Sequence, residues 1–544
     1  MRRILFAVIG CFTVFCAHAA QIVNVDYVHK LIAQEWDISI PIKADSPMQA
    51  ANMKYLLTAV DVANEILNGE KTTDYGNGEF ATLHAADTVA TNQAVQTLVK
   101  KEQKHEFTLT TTPTNRFEFS ISAAGTFYID WGDGKTETIT KPDTTNTTYS
   151  HNYATAKTYT IGLSGQATGY YRSDPELDLY AAAISFYSSA SKIASIDGSL
   201  GAIFGTLSSD TNNQPLFYST FSDASNMTGS IPSDLFAGIS GIPASYMFTG
   251  TFAGCSGLTS IPENLFAGTS GAPASYNMFA FTFSGCSGLT SIPAGLFAGI
   301  SGEPAEGMFS GTFRDCSKLT SIPAGLFAGI SGEPAESMFD GTFSGCSGLT
   351  SIPENLFAGI SGKPAISMFD GTFNGCSGLT SIPENLFAGI SGKPASNMFT
   401  ATFNGCRGLT SIPENLFAGI SGAPASAMFR LTFNGCSGLT SIPDGLFAGI
   451  SGAPASAMFL NTFSGCSGLT SIPENLFGDI SGPAQSNMFY RTFYNCTSLT
   501  GPSARINGQY LYEIWPDATS AQVGGMYRGA TKLSDYSNIP AIWK

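Results

Sequence analysis

From residue 216 onward the apolar positions of the chain recur in one frame, thirty residues long, as in the step from Cys376 to Cys406. The unit that starts at Cys376 reads CSGLTSIPENLFAGISGKPASNMFTATFNG. Leu379 and Ile382 flank Thr380 and Ser381, a spacing that predicts one short strand per turn. Pro383 stops it and suits the first position of a short helical turn, where Glu384 faces the favourable end of the helix dipole. Leu386, Phe387 and Ile390 form one apolar stripe, which Ser391-Gly392 breaks. Pro394 opens a second, longer helix with Met398, Phe399, Thr402, Phe403 and Cys406 on one face and Gly405 at its end. The pattern predicts strand, short helix, loop and helix in each turn. Stacked turns then place a parallel sheet on one side and helices on the other, an α/β solenoid.

The frame is marked by Cys255, Cys286, Cys316, Cys346, Cys376, Cys406, Cys436, Cys466 and Cys496, with a single step of 31 among steps of 30. Fixed periods of about 20–50 residues mark arrays in which a unit buries its apolar face only against its neighbours. Residues 216–241 continue the frame upstream with Ser225 in the Cys position. Ile193, Ile196 and Leu200 read as a decayed unit, and 526–540 repeats the frame without a Cys. These end units are expected caps. The array spans about 185–540, in a solenoid segment 171–502 and a C-terminal capping repeat 503–544. The frame F-x-x-C-x-x-L-x-x-I-P resembles the BspA-like leucine-rich repeats of bacterial surface proteins. That resemblance implies a cell-surface or secreted adhesion or host-interaction protein. The unit is longer than the family's usual one by the SGKPASNMF stretch.

Residues 105–170 alternate with a period of two, in FTLTTT, RFEFSIS, TFYIDW, KTETIT and KTYTIGL, which predicts strands. Asp133-Gly134 between two such runs is a hairpin signal. The segment YIDWGDGKTETI followed by YSHNYATAKTYTIGL resembles a PKD-type, immunoglobulin-like β-sandwich, a spacer that implies a second module held off a surface. Residues 20–104 read as a helical region: helices at 27–36 and 86–101, and a third entered through Ser46-Pro47 with Met53, Leu56, Leu57, Val60 and Leu67 on one face. Residues 1–19 carry the pattern of an export signal: Arg2 and Arg3, an apolar run from Ile4 to Phe15, then Ala17-His18-Ala19. A lipoprotein reading of Val8-Ile9-Gly10-Cys11 places its cysteine too early in the apolar run. The run is also too short for a spanning helix of about 20 residues, and no later stretch looks transmembrane.

Charge narrows the partners. The formal net charge is −15. It becomes −17 without Arg2 and Arg3, because 1–19 holds no acid. Phosphate contacts need clustered Lys and Arg, so nucleic acid is excluded as a partner.

The cysteines admit two readings, a ladder of buried free thiols or occasional bridges between neighbours, and their odd number favours the ladder. The array holds no His, which argues against zinc. The Met398-Phe399 pairs read as core or as a ligand groove. The acids after Pro (Glu263, Glu354, Glu384, Glu414, Asp444 and Glu474) form a column broken by Ala294 and Ala324, placed for helix dipoles or for calcium. Asp130 and Asp133 beside the hairpin read as structural, or as a calcium site or an acid pair. His29, His84, His105 and His151 fall in no nucleophile, zinc or acid–base motif. No catalytic, cofactor or metal residues are assigned, and the ligand-binding residues stay open. Positions between the two Phe of each unit, read as facing solvent, vary (Asp370-Gly371, Thr400-Ala401, Arg430-Leu431, Leu460-Asn461, Tyr490-Arg491), by recognition or by drift, while Thr380-Ser381 hardly changes.

The sequence therefore points to a secreted or surface-exposed, non-catalytic binding or adhesion protein, presenting a solenoid to an extracellular protein or glycan. A purely structural surface-layer or matrix component is the alternative. An exported hydrolase is a third reading.

Overall fold

The alternation seen at 105–170 folds into two sheets packed face to face. The computed structural model describes residues 105–171, 181–272 and 276–544. The leader and the three expected helices before residue 104 lie outside these residues. Six strands come first: β1 Phe107–Thr111, β2 Thr114–Ile121, β3 Ala124–Asp130, β4 Thr136–Lys141, β5 Thr147–Lys157 and β6 Thr160–Gly169. Two more, β7 Ile184–Ser185 and β8 Ile193–Gly198, arrive after residue 180. The sheets run β4-β3-β6-β1-β8 and β5-β2-β7. Phe107, Phe119, Phe127, Trp131, Ile161 and Leu163 close the space between them.

Each sheet thus takes one strand from the segment read as a decayed repeat. β8 pairs antiparallel with β1, Leu109 opposite Ile196, and β7 pairs with β2, Ile121 opposite Ile184. The same segment begins the stack of turns. Phe186 donates its N–H to the Thr220 carbonyl of the next turn, and its ring stacks on Phe221 at 5.3 Å. Residues 107–544 accordingly form one compact unit.

The arc 396–406 in each turn is not an α-helix. The N–H groups of Asn397, Phe399, Ala401, Phe403 and Gly405 donate to carbonyls of the following turn, those of Ser426, Met428, Arg430, Thr432 and Asn434. Between them Thr400, Thr402, Asn404 and Cys406 donate back three residues, closing tight turns. Asn397, Ala401 and Gly405 take positive φ, at 55°, 51° and 73°. The conformation therefore repeats every four residues. An apolar stripe at i, i+4 and i+8 fits that period as well as it fits 3.6 over so short a span. Residues 383–390 are likewise a run of turns, Leu386 to Pro383, Ala388 to Asn385 and Ile390 to Phe387. Among the described residues the α-helices are four-residue pieces, such as Leu200–Ile203 and Leu511–Ile514.

The expected strand at Leu379–Ile382 is also thinner than a ladder. A single N–H, as from Thr380 to the Thr350 carbonyl at 3.3 Å, links adjacent turns there at most steps. Among the described residues this place is extended into paired strands only at β9, Gly229–Ser230, and β10, Leu258–Ser260, which run parallel. Parallel bridges recur instead at the Ser-Gly step, Gly362 with Ile390 and Gly392 with Ile420. Gly389 sits so close to the turn before it that a Cβ would meet the Ile360 carbonyl oxygen at 2.2 Å.

Three columns of phenylalanine fill the interior. Phe403 stacks on Phe373 at 5.7 Å, Phe399 on Phe369 at 5.7 Å and Phe387 on Phe357 at 6.2 Å, all within 7° of parallel. The columns interlock, Phe387 tilting against Phe399 at 4.9 Å. Offset aromatic pairs with centroids about 4.5–7 Å apart are the favoured geometry. Two further columns tie the turns: Thr402 Oγ1 donates to the Phe369 carbonyl at 2.9 Å, and Cys406 Sγ to the Phe373 carbonyl at 3.2 Å.

The end units follow the same rule with one register correction. Ala224, not Ser225, holds the Cys position: its N–H bonds to the Phe221 carbonyl, as Cys255 N–H bonds to Phe252. Ala530 holds it in the last turn, bonded to Tyr527. Ser189 holds it in the first, and its Oγ accepts the Glu118 N–H of β2 at 3.0 Å.

Truncating Phe403 to Ala removes a ring that is fully buried and is expected to cost about 3–5 kcal/mol. Hydrogen exchange should show lost protection confined to the turns around 373–433. Ser381→Ala, on an exposed position, should cost less than about 0.5 kcal/mol. Equal protection loss in both variants would contradict the interlocked columns.

Candidate functional site

The groups with chemical potential are divided between the interior and three outer strips. The nine cysteines from Cys255 to Cys496 are free and buried. Burial pushes the Cys376 thiol up to about 12, so it stays protonated and unreactive at neutral pH. Each thiol is also engaged, as the Cys346 Sγ to Phe313 carbonyl bond of 3.1 Å illustrates. Met398 and Phe399 are fully buried. They are core and not a groove, and Met398 Sδ accepts the Ala395 N–H at 3.3 Å.

Beside the β3–β4 hairpin, Asp130 and Asp133 act on the backbone. Asp130 Oδ1 accepts the Gly132 N–H at 2.8 Å and Asp133 Oδ1 accepts Lys135 N–H at 3.1 Å. Gly132 and Gly134 have φ of 79° and 87°, the left-handed conformation this turn needs. His151 Nε2 meets Asp133 Oδ2 at 2.9 Å, and its ring stacks on Trp131 at 5.0 Å. Tyr153 donates to the Trp131 carbonyl at 2.9 Å. Every one of these groups braces the hairpin against β5. His29 and His84 lie outside the described residues.

The first outer strip is Thr380-Ser381 and its equivalents, the same pair in each unit from Thr259-Ser260 to Thr470-Ser471. Both side chains of Thr380-Ser381 are exposed, and Thr380 Oγ1 reaches the Thr350 carbonyl at 3.3 Å. The second is the column of acids after Pro. Glu263, Glu354, Glu384, Glu414, Asp444 and Glu474 are exposed, and Glu474 pairs with Arg505 at 3.3 Å. Among the described residues no three His, Cys, Asp or Glu side chains are gathered as metal ligands. The dipole explanation for this column falls with the helices it assumed.

The third strip lies between the two phenylalanines of the 396–406 arc. Its first column is Ala280, Ser310, Asp340, Asp370, Thr400, Arg430, Leu460 and Tyr490. Its second is Phe281, Gly311, Gly341, Gly371, Ala401, Leu431, Asn461 and Arg491, all with φ between 51° and 59°. Thr400, expected at the surface, is 4% exposed and donates to the Ala427 carbonyl at 2.7 Å. Exposure changes along the strip: Ala280 and Gly341 are buried, Asp340, Asp370 and Tyr490 half-buried, and Arg430 exposed. Phe281 is 40% exposed and its ring lies over Gly311, where a Cβ would collide with it. Arg491 stands 5.1 Å from the Tyr490 ring and 5.0 Å from the Tyr494 ring.

Asp340 and Asp370 occupy successive turns of this strip. Loss of water, together with the neighbouring Asp340 charge, raises Asp370 to about 7, with Arg430 acting in the opposite direction. Asp340 is raised by burial and relieved by Arg314. The residues were singled out from the sequence as variable; their desolvation was not, because it depends on which side of the arc they take.

No family model, curated protein or solved structure matches this chain.

A carboxyl raised in the folded state keeps its proton while the unfolded chain loses it. Stability conferred by Asp370 is therefore fully present below the ordinary carboxyl value of 3.8 and is lost as pH rises toward about 7. Asp370→Asn should raise the urea midpoint at pH 8 and leave it nearly unchanged at pH 4. An equal gain at both values would show that the carboxyl's charge is not the cause. In a second measurement, alkylation without reduction should label none of the nine thiols in the folded chain and most of them after unfolding.

Proposed function

We propose that the stack is a leucine-rich-repeat-type solenoid of the BspA-like kind, fused to a PKD-like sandwich. On this reading the protein is exported and non-catalytic, and it presents the stack to an extracellular protein or glycan. The observation that carries the reading is a long stack closed at both ends. At one end β7 and β8 draw the first turn into the two sheets. At the other, Tyr527 stacks on Phe493 at 6.1 Å and donates its N–H to the Trp543 carbonyl. Asp535, buried, accepts the Ser503 N–H at 2.9 Å and the Ser503 hydroxyl at 2.6 Å. A layer or matrix built by end-to-end growth needs open ends, with free N–H and C=O groups for the next copy. These ends are occupied, which favours display over assembly.

The reactive groups support the same conclusion. Thiols and threonine hydroxyls serve the joints between turns, and the Asp133–His151 pair serves a hairpin. No exported hydrolase chemistry is proposed from them.

Two measurements test the proposal. Presented to arrays of purified extracellular proteins and glycans, the protein should bind a small subset with saturable affinity. In sedimentation at rising concentration it should remain a species of fixed mass. Concentration-dependent growth into filaments or sheets, with no array ligand bound, would favour the structural alternative.

A further inference from the structure

We infer that recognition is carried by the strip between the two phenylalanines of each turn and not by the Thr–Ser face, and that the partner is a folded protein with a basic patch. The inference deepens the binding reading above and rests on it.

Drift predicts the most variation where side chains are most exposed and least constrained. The Thr–Ser face departs from that rule, although exposed positions such as Glu333, Lys363 and Ala423 follow it. Thr380 and Ser381 are exposed, yet the pair is the same in every unit from Cys255 to Asn495. The column that holds the half-buried Asp340, the buried Thr400 and the exposed Arg430 changes at nearly every step. Backbone conformation sharpens the contrast. Phe281, Leu431 and Arg491 sit at φ of 55°, 59° and 55°, in the left-handed region where glycine is the residue of least strain. Gly311, Gly341 and Gly371 show that glycine serves there. Large side chains held against a local preference mark positions where something other than folding decides the residue.

The order of residues indicates the partner's chemistry. A ligand with a uniform repeat, such as a regular glycan, would be met by the same side chain on every turn. A polyanion would be met by Lys and Arg throughout. This strip instead presents an aromatic at Phe281, acids at Asp340 and Asp370, then Arg430, Leu431 and finally Arg491 between two tyrosines. A surface that differs at each step fits a partner that also differs at each step, which is a folded protein. Seven steps of 5.7 Å, the ring spacing of the stack, carry the strip roughly 40 Å, long enough to cross a standard interface of about 800 Å² per partner, which is roughly 30 Å wide. Tyr and Arg are the residues that most often dominate such interfaces. Asp340 and Asp370, half-desolvated side by side, are completed by a cation, which places the partner's basic patch on these turns. Arg430 and Arg491 take acidic or carbonyl groups at its other end.

The test uses the whole protein on a panel of immobilised fibronectin, laminin, collagen, mucin and printed glycans. For the protein of the panel bound most tightly, Kd is compared across Arg430→Glu, Asp340→Asn/Asp370→Asn and Thr380→Ala/Ser381→Ala, each with its unfolding midpoint. Arg430 is exposed, so its variant is expected to fold as the parent does and decides the matter if the aspartate pair proves unstable. The inference expects Kd to rise about tenfold or more in the strip variants and to stay within about twofold in the Thr–Ser variant. A loss in the Thr–Ser variant with the strip variants unchanged overturns it and leaves the binding reading standing. Binding to glycans alone overturns it in the same way. Failure to bind anything on the panel removes both.

Discussion

The carbonyl of a phenylalanine holds this structure together. The Phe373 oxygen accepts the Cys376 N–H within its own turn and the Cys406 thiol from the next. The Phe369 oxygen does the same for Thr372 N–H and the Thr402 hydroxyl. Both lone pairs of each oxygen are thereby used, and the turn above can sit at only one height and one rotation. The parallel rings follow from that registration. A short polar link sets the step, and the apolar rings then fill the space it leaves, so neither a thiol nor a ring can be altered without disturbing the turn beside it. Stability in such an array comes from neighbours and not from any unit alone.

The thirty-residue frame, the buried faces of Leu379, Ile382, Phe387, Phe399, Phe403 and Cys406, and the alternating strands at 105–170 were legible in the residues, because burial leaves a direct mark on composition. What failed was conformation. Met398, Thr402 and Cys406 fit a helix of 3.6 residues per turn and a spiral of four equally well over nine residues. The distinguishing mark was Gly371 and Gly375 four residues apart, with Gly405 in the place of Gly375 one turn on and Asn397 eight residues before it. The exposure of Thr400 was misjudged for the same reason, since the side of the arc it takes is set by the four-residue cycle. Ser225 was one residue out of register because the upstream unit lacks the cysteine that fixes the count; the spacing from Phe221 identifies Ala224.

The sandwich and the stack meet through shared strands. Ser189, in the place a cysteine takes later, accepts a backbone N–H of β2. β8 leaves the same turn to pair with β1. Nothing in the residues at 184–198 signalled this double use, since a strand edge and a decayed repeat carry the same apolar alternation. The junction between the two parts is consequently as well bonded as the joints within the stack.

On the 396–406 arc, five N–H groups of every turn point toward the C-terminal end of the stack, from Asn397 to Gly405 and in the turns on either side. Peptide dipoles aligned in this way add, as they do along an α-helix. Links that run the other way, such as Ser391 to Gly362 and Thr380 to Thr350, lie on the opposite side and offset only part of the sum. This flank of the stack therefore carries a lengthwise electric polarity, positive toward its last turn and negative toward the sandwich. A charged partner approaching that flank would be turned by the field before any side chain touched it.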